Sequence, residues 1–232
     1  IILGMDAWDP AQARLLSEPR LLNAVQVHLG RSVTELRLPP LAPDQQGGMA
    51  PDAWSGVGVP VAAFPRWLRC PRCRYLGQID TGLFELKTSG RPDQVSYRHG
   101  CVVRGRTPAA LPARFLVACR NGHLDDFPWV LFVHRGGSCA NPLLEMEDSS
   151  VTGEATGVWV RCRTCDQRRS MVEAFGDVGK GSLPACRGRH PHLATYSGCT
   201  QPLRTVLPGA TNLWFADTRT VLSLPEHGYR AS

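Results

Sequence analysis

The chain has 232 residues, 43% of them hydrophobic, which gives enough apolar material for one large or two small globular domains and excludes a fibrous or disordered protein. No apolar run approaches the roughly 18 residues of a membrane span, and the opening IILGMDAWDP lacks the basic start and apolar core of a secretory signal, so a cytoplasmic protein without a membrane partner is expected. The formal net charge is +6, carried almost wholly by arginine because Lys87 and Lys180 are the only lysines; arginine suits phosphate contacts but is also what a GC-rich genome writes by default.

Residues 1–65 read as a mixed lobe of helix and loop. The segment PAQARLLSEPRLLNAVQVHLG predicts one or two short helices divided near Pro19, and the Pro/Gly-rich stretch from Pro39 to Val59 predicts a long loop. Residues 66–205 alternate cysteine pairs with strand-like runs, notably RFLVAC and GVWVRC, and Gln167 to Phe175 reads as a short helix. Residues 206–232 read as the start of a following segment, and the chain as part of a longer polypeptide. The fold class expected is α+β: an irregular, loop-rich, zinc-stapled scaffold with short strands and a few short helices.

Nine cysteines carry most of the functional information. Their odd number and the absence of a signal argue against a disulfide framework, which leaves zinc as the common use of clustered thiols, up to three ions here. Cys162-Arg-Thr-Cys165 is a tight knuckle that Cys186 and Cys199 can complete as a four-thiolate site, with His190 and His192 as rival ligands. Cys119-Arg-Asn-Gly-His123 followed by His134 and Cys139 gives a Cys2His2 set in which Gly122 lets the backbone turn tightly. Cys70-Pro-Arg-Cys73 is a second knuckle, for which Cys101 and the neighbouring His99 are the remaining donors. Metal binding of this kind is coupled to folding.

Gly179-Lys180-Gly181-Ser182 mimics the end of a phosphate-binding loop, but Ala174 and Gly181 stand where that motif needs Gly and Ser or Thr. No His-x-Glu exists for a zinc deaminase, and no Gly-x-Ser-x-Gly elbow occurs. Asp125-Asp126, beside a candidate ligand histidine, is the one place for a metal-dependent nuclease; the alternative is that one of these carboxylates caps a turn and orients the imidazole. Arg161, Arg163, Arg168, Arg169, Arg187, Arg189 and Arg204 crowd the later cysteines. They suit either phosphate contact or neutralisation of a doubly negative tetrathiolate centre, and all but Arg204 are the candidate nucleic-acid contacts.

The string from Ala113 through Cys119-Arg-Asn-Gly-His123-Leu-Asp-Asp-Phe-Pro-Trp129 to Val133-His134 resembles the DrmB family, the helicase-associated subunits of the bacterial DISARM anti-phage system. Phe64-Pro-Arg-Trp-Leu-Arg-Cys70-Pro-Arg-Cys73, Gly209-Ala-Thr-Asn212 and Val221-Leu-Ser-Leu-Pro225 are similar to further segments of that family, while Arg104 stands where a cysteine is expected. The resemblance implies a non-catalytic partner of an SNF2-like helicase subunit that engages DNA through the complex. The residues alone show a zinc-stapled, arginine-rich segment without recognisable catalytic machinery, and the alternative function is an autonomous zinc-ribbon-like nucleic-acid-binding module.

Overall fold

In the computed structural model, the residues described are 1–3, 5–41, 57–88, 95–101, 107–149, 155–210, 213 and 217–222. Most of the Pro39–Val59 stretch, Arg104, and much of the segment after residue 210 lie outside them. The architecture is α+β, with many short antiparallel strands and few short helices. The chain divides into two compact units, one of Ile1 and Ala63–Leu213, the other of Ile2–Ala62 and Trp214–Ser232.

In the smaller unit, α1 (Pro19–Leu29) begins at the proline that the sequence marks as a break. A proline in the first turn loses nothing, since its missing N–H would have no intrahelical acceptor there. The preceding segment forms turns rather than a first helix, fastened where Leu15 bridges Arg37 and the Arg37 Nη1 donates to the Ala13 carbonyl at 2.9 Å.

The larger unit holds β1 (Trp67–Arg69), β2 (Tyr75–Gln78), β3 (Phe84–Lys87), β4 (Ser96–His99), β5 (Leu111–Pro112), β6 (Leu116–Ala118) and β7 (Leu124–Asp126). After α2 (Trp129–Val133) come β8 (Leu144–Asp148), β9 (Val158–Cys162), β10 (Arg168–Ser170), α3 (Gly176–Ser182), β11 (Arg189–His190), β12 (Thr195–Tyr196) and β13 (Arg204–Val206). A six-stranded antiparallel sheet runs in the order β10-β9-β8-β2-β1-β5; β13-β6-β7 form a second sheet, and β3-β4 and β11-β12 are hairpins. The expected strands at RFLVAC and GVWVRC are β6 and β9. The expected helix at 167–175 is instead β10 followed by a single 3-10 turn, Met171–Ala174. The partner strand decides this: Arg168, Arg169 and Ser170 pair with Arg161, Val160 and Trp159, so sheet bonding overrides local helix preference.

Val158 and Val160 alternate inward along β9 and meet Met146, Phe115, Phe132 and Met171 in the main core. Phe127 anchors an aromatic group in it, with ring centroids 4.5 Å from Trp129 and 5.1 Å from Phe132. A separate small cluster of Leu68, Cys70 and Phe84 supports the β3-β4 hairpin. No helix among the described residues is long and apolar enough to cross a membrane.

Candidate metal centres and the cavity beside them

Three groups of four Cys/His side chains bring their donor atoms within 4.8 Å of one another: Cys70, Cys73, His99 and Cys101; Cys119, His123, Cys186 and Cys199; and His134, Cys139, Cys162 and Cys165. All twelve donors are those the spacing picks out, but the grouping of two sets differs from the contiguous one. The sequence reading joins Cys162 and Cys165 to Cys186 and Cys199, and His134 and Cys139 to Cys119 and His123. In the structure these pairs are exchanged. The inner cluster, His134 to Cys165, is nested between the two halves of the outer cluster, and each of the three contains three thiols and one imidazole. No four-thiolate set forms among the described residues, so a divalent ion held by three thiolates and one imidazole would leave one formal negative charge per group instead of the two of a tetrathiolate centre.

Strand pairing causes the exchange. The β6-β7 turn carries Cys119 and His123, and β13 pairs along β6 just after Cys199, bringing the two ends of the chain segment together. Meanwhile α2 packs on β9 and β10, and His134 at its C-terminus meets the knuckle between those strands. The two knuckles are built alike. In each, the residue after the second cysteine takes a left-handed conformation, Arg74 at φ 66° and Asp166 at φ 65°, and donates its amide to the first cysteine's carbonyl at 3.0 and 2.8 Å. Gly122, at φ 82°, makes the corresponding turn before His123. Gly188 is demanded more strongly: φ is 72° and a Cβ there would lie 1.6 Å from the Ser197 carbonyl oxygen, while its amide donates to Cys186 Sγ at 3.2 Å.

The donor spacings suit a tetrahedral ion. Zinc with sulfur at about 2.3 Å and nitrogen at about 2.0 Å implies edges of about 3.8 Å between sulfurs and about 3.5 Å between sulfur and nitrogen. Cys70–Cys101 and Cys139–Cys162 sulfurs are 3.6 Å apart, and the sulfur–nitrogen distances are 3.2 Å for Cys73–His99, 3.3 Å for Cys119–His123 and 3.2 Å for Cys165–His134. The imidazoles are oriented from behind. His134 donates Nδ1–H to the Val130 carbonyl at 2.7 Å, leaving the Nε2 lone pair to face Cys165. His123 presents Nδ1 to its cluster, and its Nε2 lies 3.0 Å from Ser197 Oγ, which also sits 3.0 Å from His190 Nε2. His190 therefore backs the outer cluster without belonging to it, and neither it nor His192 is among the twelve donors.

Thiol acidity is divided within each group. Burial pushes the Cys162 thiol up, but the amides of Cys165 and Thr164 and the neighbouring thiols outweigh it and bring it down to about 6. Burial first, then hydrogen bonding to and repulsion by the Cys162 and Cys165 sulfurs, hold Cys139 at about 12. In the same way Cys73 and Cys186 are pushed to about 12, chiefly by burial.

Arginines engage Asp125 and Asp126, and it is Ser197 that faces Nε2 of the His123 imidazole. Asp125 accepts from Arg187 Nε and Nη2 at 3.0 and 2.7 Å and from Arg189 Nη1 at 2.6 Å; Asp126 accepts from Arg189 Nη1 at 2.7 Å and from the Arg66 amide at 2.7 Å. The candidate nucleic-acid arginines thus have structural partners. Arg189 and Arg169 are largely buried, their side chains 13% and 7% exposed, with Arg169 held by Glu173 and the Phe132 carbonyl. Arg161 pairs with Asp166, Arg168 with Glu147 while lying over the Trp159 ring, and Arg163 with Glu145. Glu145, buried on β8, also pairs with Arg74 at 3.0 Å, so one carboxylate spans the two knuckles. Arg187 keeps a 62% exposed side chain over the Tyr196 ring. The phosphate-loop mimic at Gly179–Ser182 lies inside α3, a regular turn rather than an open anion cradle. Spacing alone did not reveal Ser197, Glu145 or the Asp125–Arg189 lock; a serine two residues before a cysteine ligand is too common to be read as a signal.

Beside the outer cluster lies a cavity of about 350 Å³, lined by Trp67, Phe127, Trp129, Tyr196, Asp125, Asp126, Arg187 and Arg189 among others.

An α+β domain pinned by three Cys3His groups is the class of protein that this fold and these sites define. The chain belongs to the family described as Domain of unknown function (DUF8724), whose model matches residues 1–215. It is DrmB-like: the DISARM protein DrmB of Bacillus paralicheniformis is 32% identical to it over 119 residues, which are 50% of this chain and 21% of that relative. The aligned stretch thus spans about a fifth of the relative's length.

Proposed function

We propose that this chain is the zinc-binding, non-catalytic part of a DISARM-type defence subunit, working beside an SNF2-like helicase and supporting its engagement of foreign DNA. Similarity to a DISARM protein supports the defence role. The observation that carries the non-catalytic reading is the outer cluster and its surroundings. Four protein donors converge there, and the adjacent carboxylates, Asp125 and Asp126, are engaged by Arg187, Arg189 and the Arg66 amide. Four protein ligands are the mark of a structural zinc site, whereas catalytic sites keep a position for water. Zinc bound in these groups would supply fixed cross-links between loops. The residues themselves do the rest: His123, Cys186 and Cys199 fasten the β11-β12 hairpin to the β6-β7 turn, and His134 fastens α2 to the β9-β10 knuckle.

The test is affinity purification of the chain from its host, with mass spectrometry of its partners and DNA binding of the isolated chain measured alongside. Recovery of an SNF2-like ATPase is the expected result. DNA binding that is strong and salt-sensitive, with no ATPase recovered, would assign the chain to an autonomous nucleic-acid-binding module instead.

A further inference from the structure

We infer that Glu145 couples two of the metal centres, so that an ion in the peripheral group (Cys70, Cys73, His99, Cys101) strengthens binding at the inner group (His134, Cys139, Cys162, Cys165); this rests on those groups holding metal. Glu145 is a positioning residue here, since it is a donor of neither group and acts through arginines of their knuckles. The two knuckles flank β8, and both are bonded to it. On one side the carbonyl of Arg74, the left-handed residue that closes the first knuckle, accepts from the Met146 amide at 2.9 Å. On the other, Arg163, between Cys162 and Cys165, donates its amide to the Leu143 carbonyl at 2.7 Å. Glu145 lies between these attachments and divides its oxygens: Oε1 is 3.0 Å from Arg74 Nε and Oε2 is 3.5 Å from Arg163 Nη1. Glu147, two residues on and on the same face of β8, repeats the pattern with Arg74 at 3.7 Å and Arg168 of β10 at 3.2 Å. Arg161, opposite Glu145 across the β8-β9 ladder, is held by Asp166.

Burial turns this geometry into coupling. The Glu145 side chain is 6% exposed, whereas those of Arg74 and Arg163 are each 49% exposed. Ion pairs between exposed groups contribute little, but a buried carboxylate that loses a partner keeps its desolvation penalty. Arg74 is aimed by the turn of its own knuckle, in which its amide donates to the Cys70 carbonyl at 3.0 Å. Closing the inner knuckle over Glu145 takes the carboxylate out of water. With Arg74 in place that penalty is offset; with the peripheral group empty and its turn released, it falls on the inner group alone. The two states are thus the first knuckle closed and open, and the differential contact is Arg74 on Glu145. Linkage makes the effect reciprocal, so the inner ion strengthens the peripheral one by the same factor.

The test is cadmium NMR of the full chain during chelator competition, with each ion assigned through its coupling to the β-protons of its own cysteines. Cys101→Ser, which disables the peripheral group, is expected to weaken the inner ion about tenfold and to leave the outer ion unchanged. In a Glu145→Gln background the same Cys101→Ser step is expected to have no further effect on the inner ion. Arg74→Asn removes the guanidinium from an exposed position with a residue that tolerates the left-handed backbone, and gives the same reading should Glu145→Gln not fold. An inner affinity that Cys101→Ser leaves unchanged overturns the coupling. Equal loss at the inner and outer ions overturns it in favour of a general loosening of their shared core. A tenfold loss that persists in Glu145→Gln or Arg74→Asn assigns the coupling to the β8 backbone and overturns the role of Glu145. A chain that binds no cadmium sinks the metal groups and the coupling together.

Discussion

The peripheral cluster and the nested pair are made of the same donors but are held by different structure. Cys70, Cys73, His99 and Cys101 lie within one short stretch of chain and are backed by the small Leu68–Cys70–Phe84 group. The outer and inner clusters draw on segments from Cys119 to Cys199 and share the main core, in which Cys162 and Cys186 are themselves buried members. A local metal group can therefore organise a hairpin, whereas an interlocked pair organises a domain. Glu145 is where the two regions meet, since its buried carboxylate pairs with Arg74 beside one knuckle and Arg163 within the other.

The largest effect that sharpens this contrast is expected from single ligand substitutions. Structural zinc contributes about 10–16 kcal/mol of apparent binding energy, as much as the whole net stability of a typical domain, about 5–15 kcal/mol. Cys186→Ser should abolish the cooperative thermal transition, while Cys101→Ser should keep it and lose one metal equivalent; equal damage from both, by calorimetry and metal analysis, would erase the distinction.

Next in size is Arg189→Met, which leaves Asp125 and Asp126 buried with fewer partners. Breaking a buried ion pair costs about 3–5 kcal/mol; that loss should appear in denaturant titration with metal content unchanged. A neutral result would mean the carboxylates reach water. Ser197→Ala is milder, because it removes only the group behind His123 and leaves all four donors. Such outer partners change metal affinity by about 10–100-fold, so chelator competition should show a loss at the outer cluster alone.

The smallest perturbation is a single pH unit of acid. Cys73, Cys139 and Cys186, each held at about 12 by burial first and by neighbouring thiols second, must give up protons to ligate. Protons and metal compete, so apparent affinity rises with pH and falls on acidification, about tenfold per pH unit for each proton released. Metal retention that is flat from pH 8 to pH 6 in a chelator assay would contradict this.

Sequence spacing made the donors legible because knuckles and isolated histidines have few other uses in such patterns. Gly122 was legible too, since a Cys-x3-His turn needs its left-handed backbone. The grouping was not. Contiguous pairing treats the chain as a string, whereas the β6–β13 ladder joins residues more than eighty positions apart and closes one cluster around another. The β10 strand was hidden for a related reason: Gln167 to Phe175 has ordinary helix formers, and only the presence of β9 turns its first residues into an edge strand. The arginines misled most, for composition counts charges but not the carboxylates that meet them, and Asp125, Asp126, Glu145 and Glu173 take up six of the arginines near the clusters.

The central claim is the nested arrangement, and cadmium NMR of the fully substituted chain tests it most directly, because the shift of each ion reports how many sulfurs bind it. Three resonances in the range of three sulfurs and one nitrogen are the predicted result. One four-sulfur resonance beside one of two sulfurs and two nitrogens would restore the contiguous grouping and contradict the account.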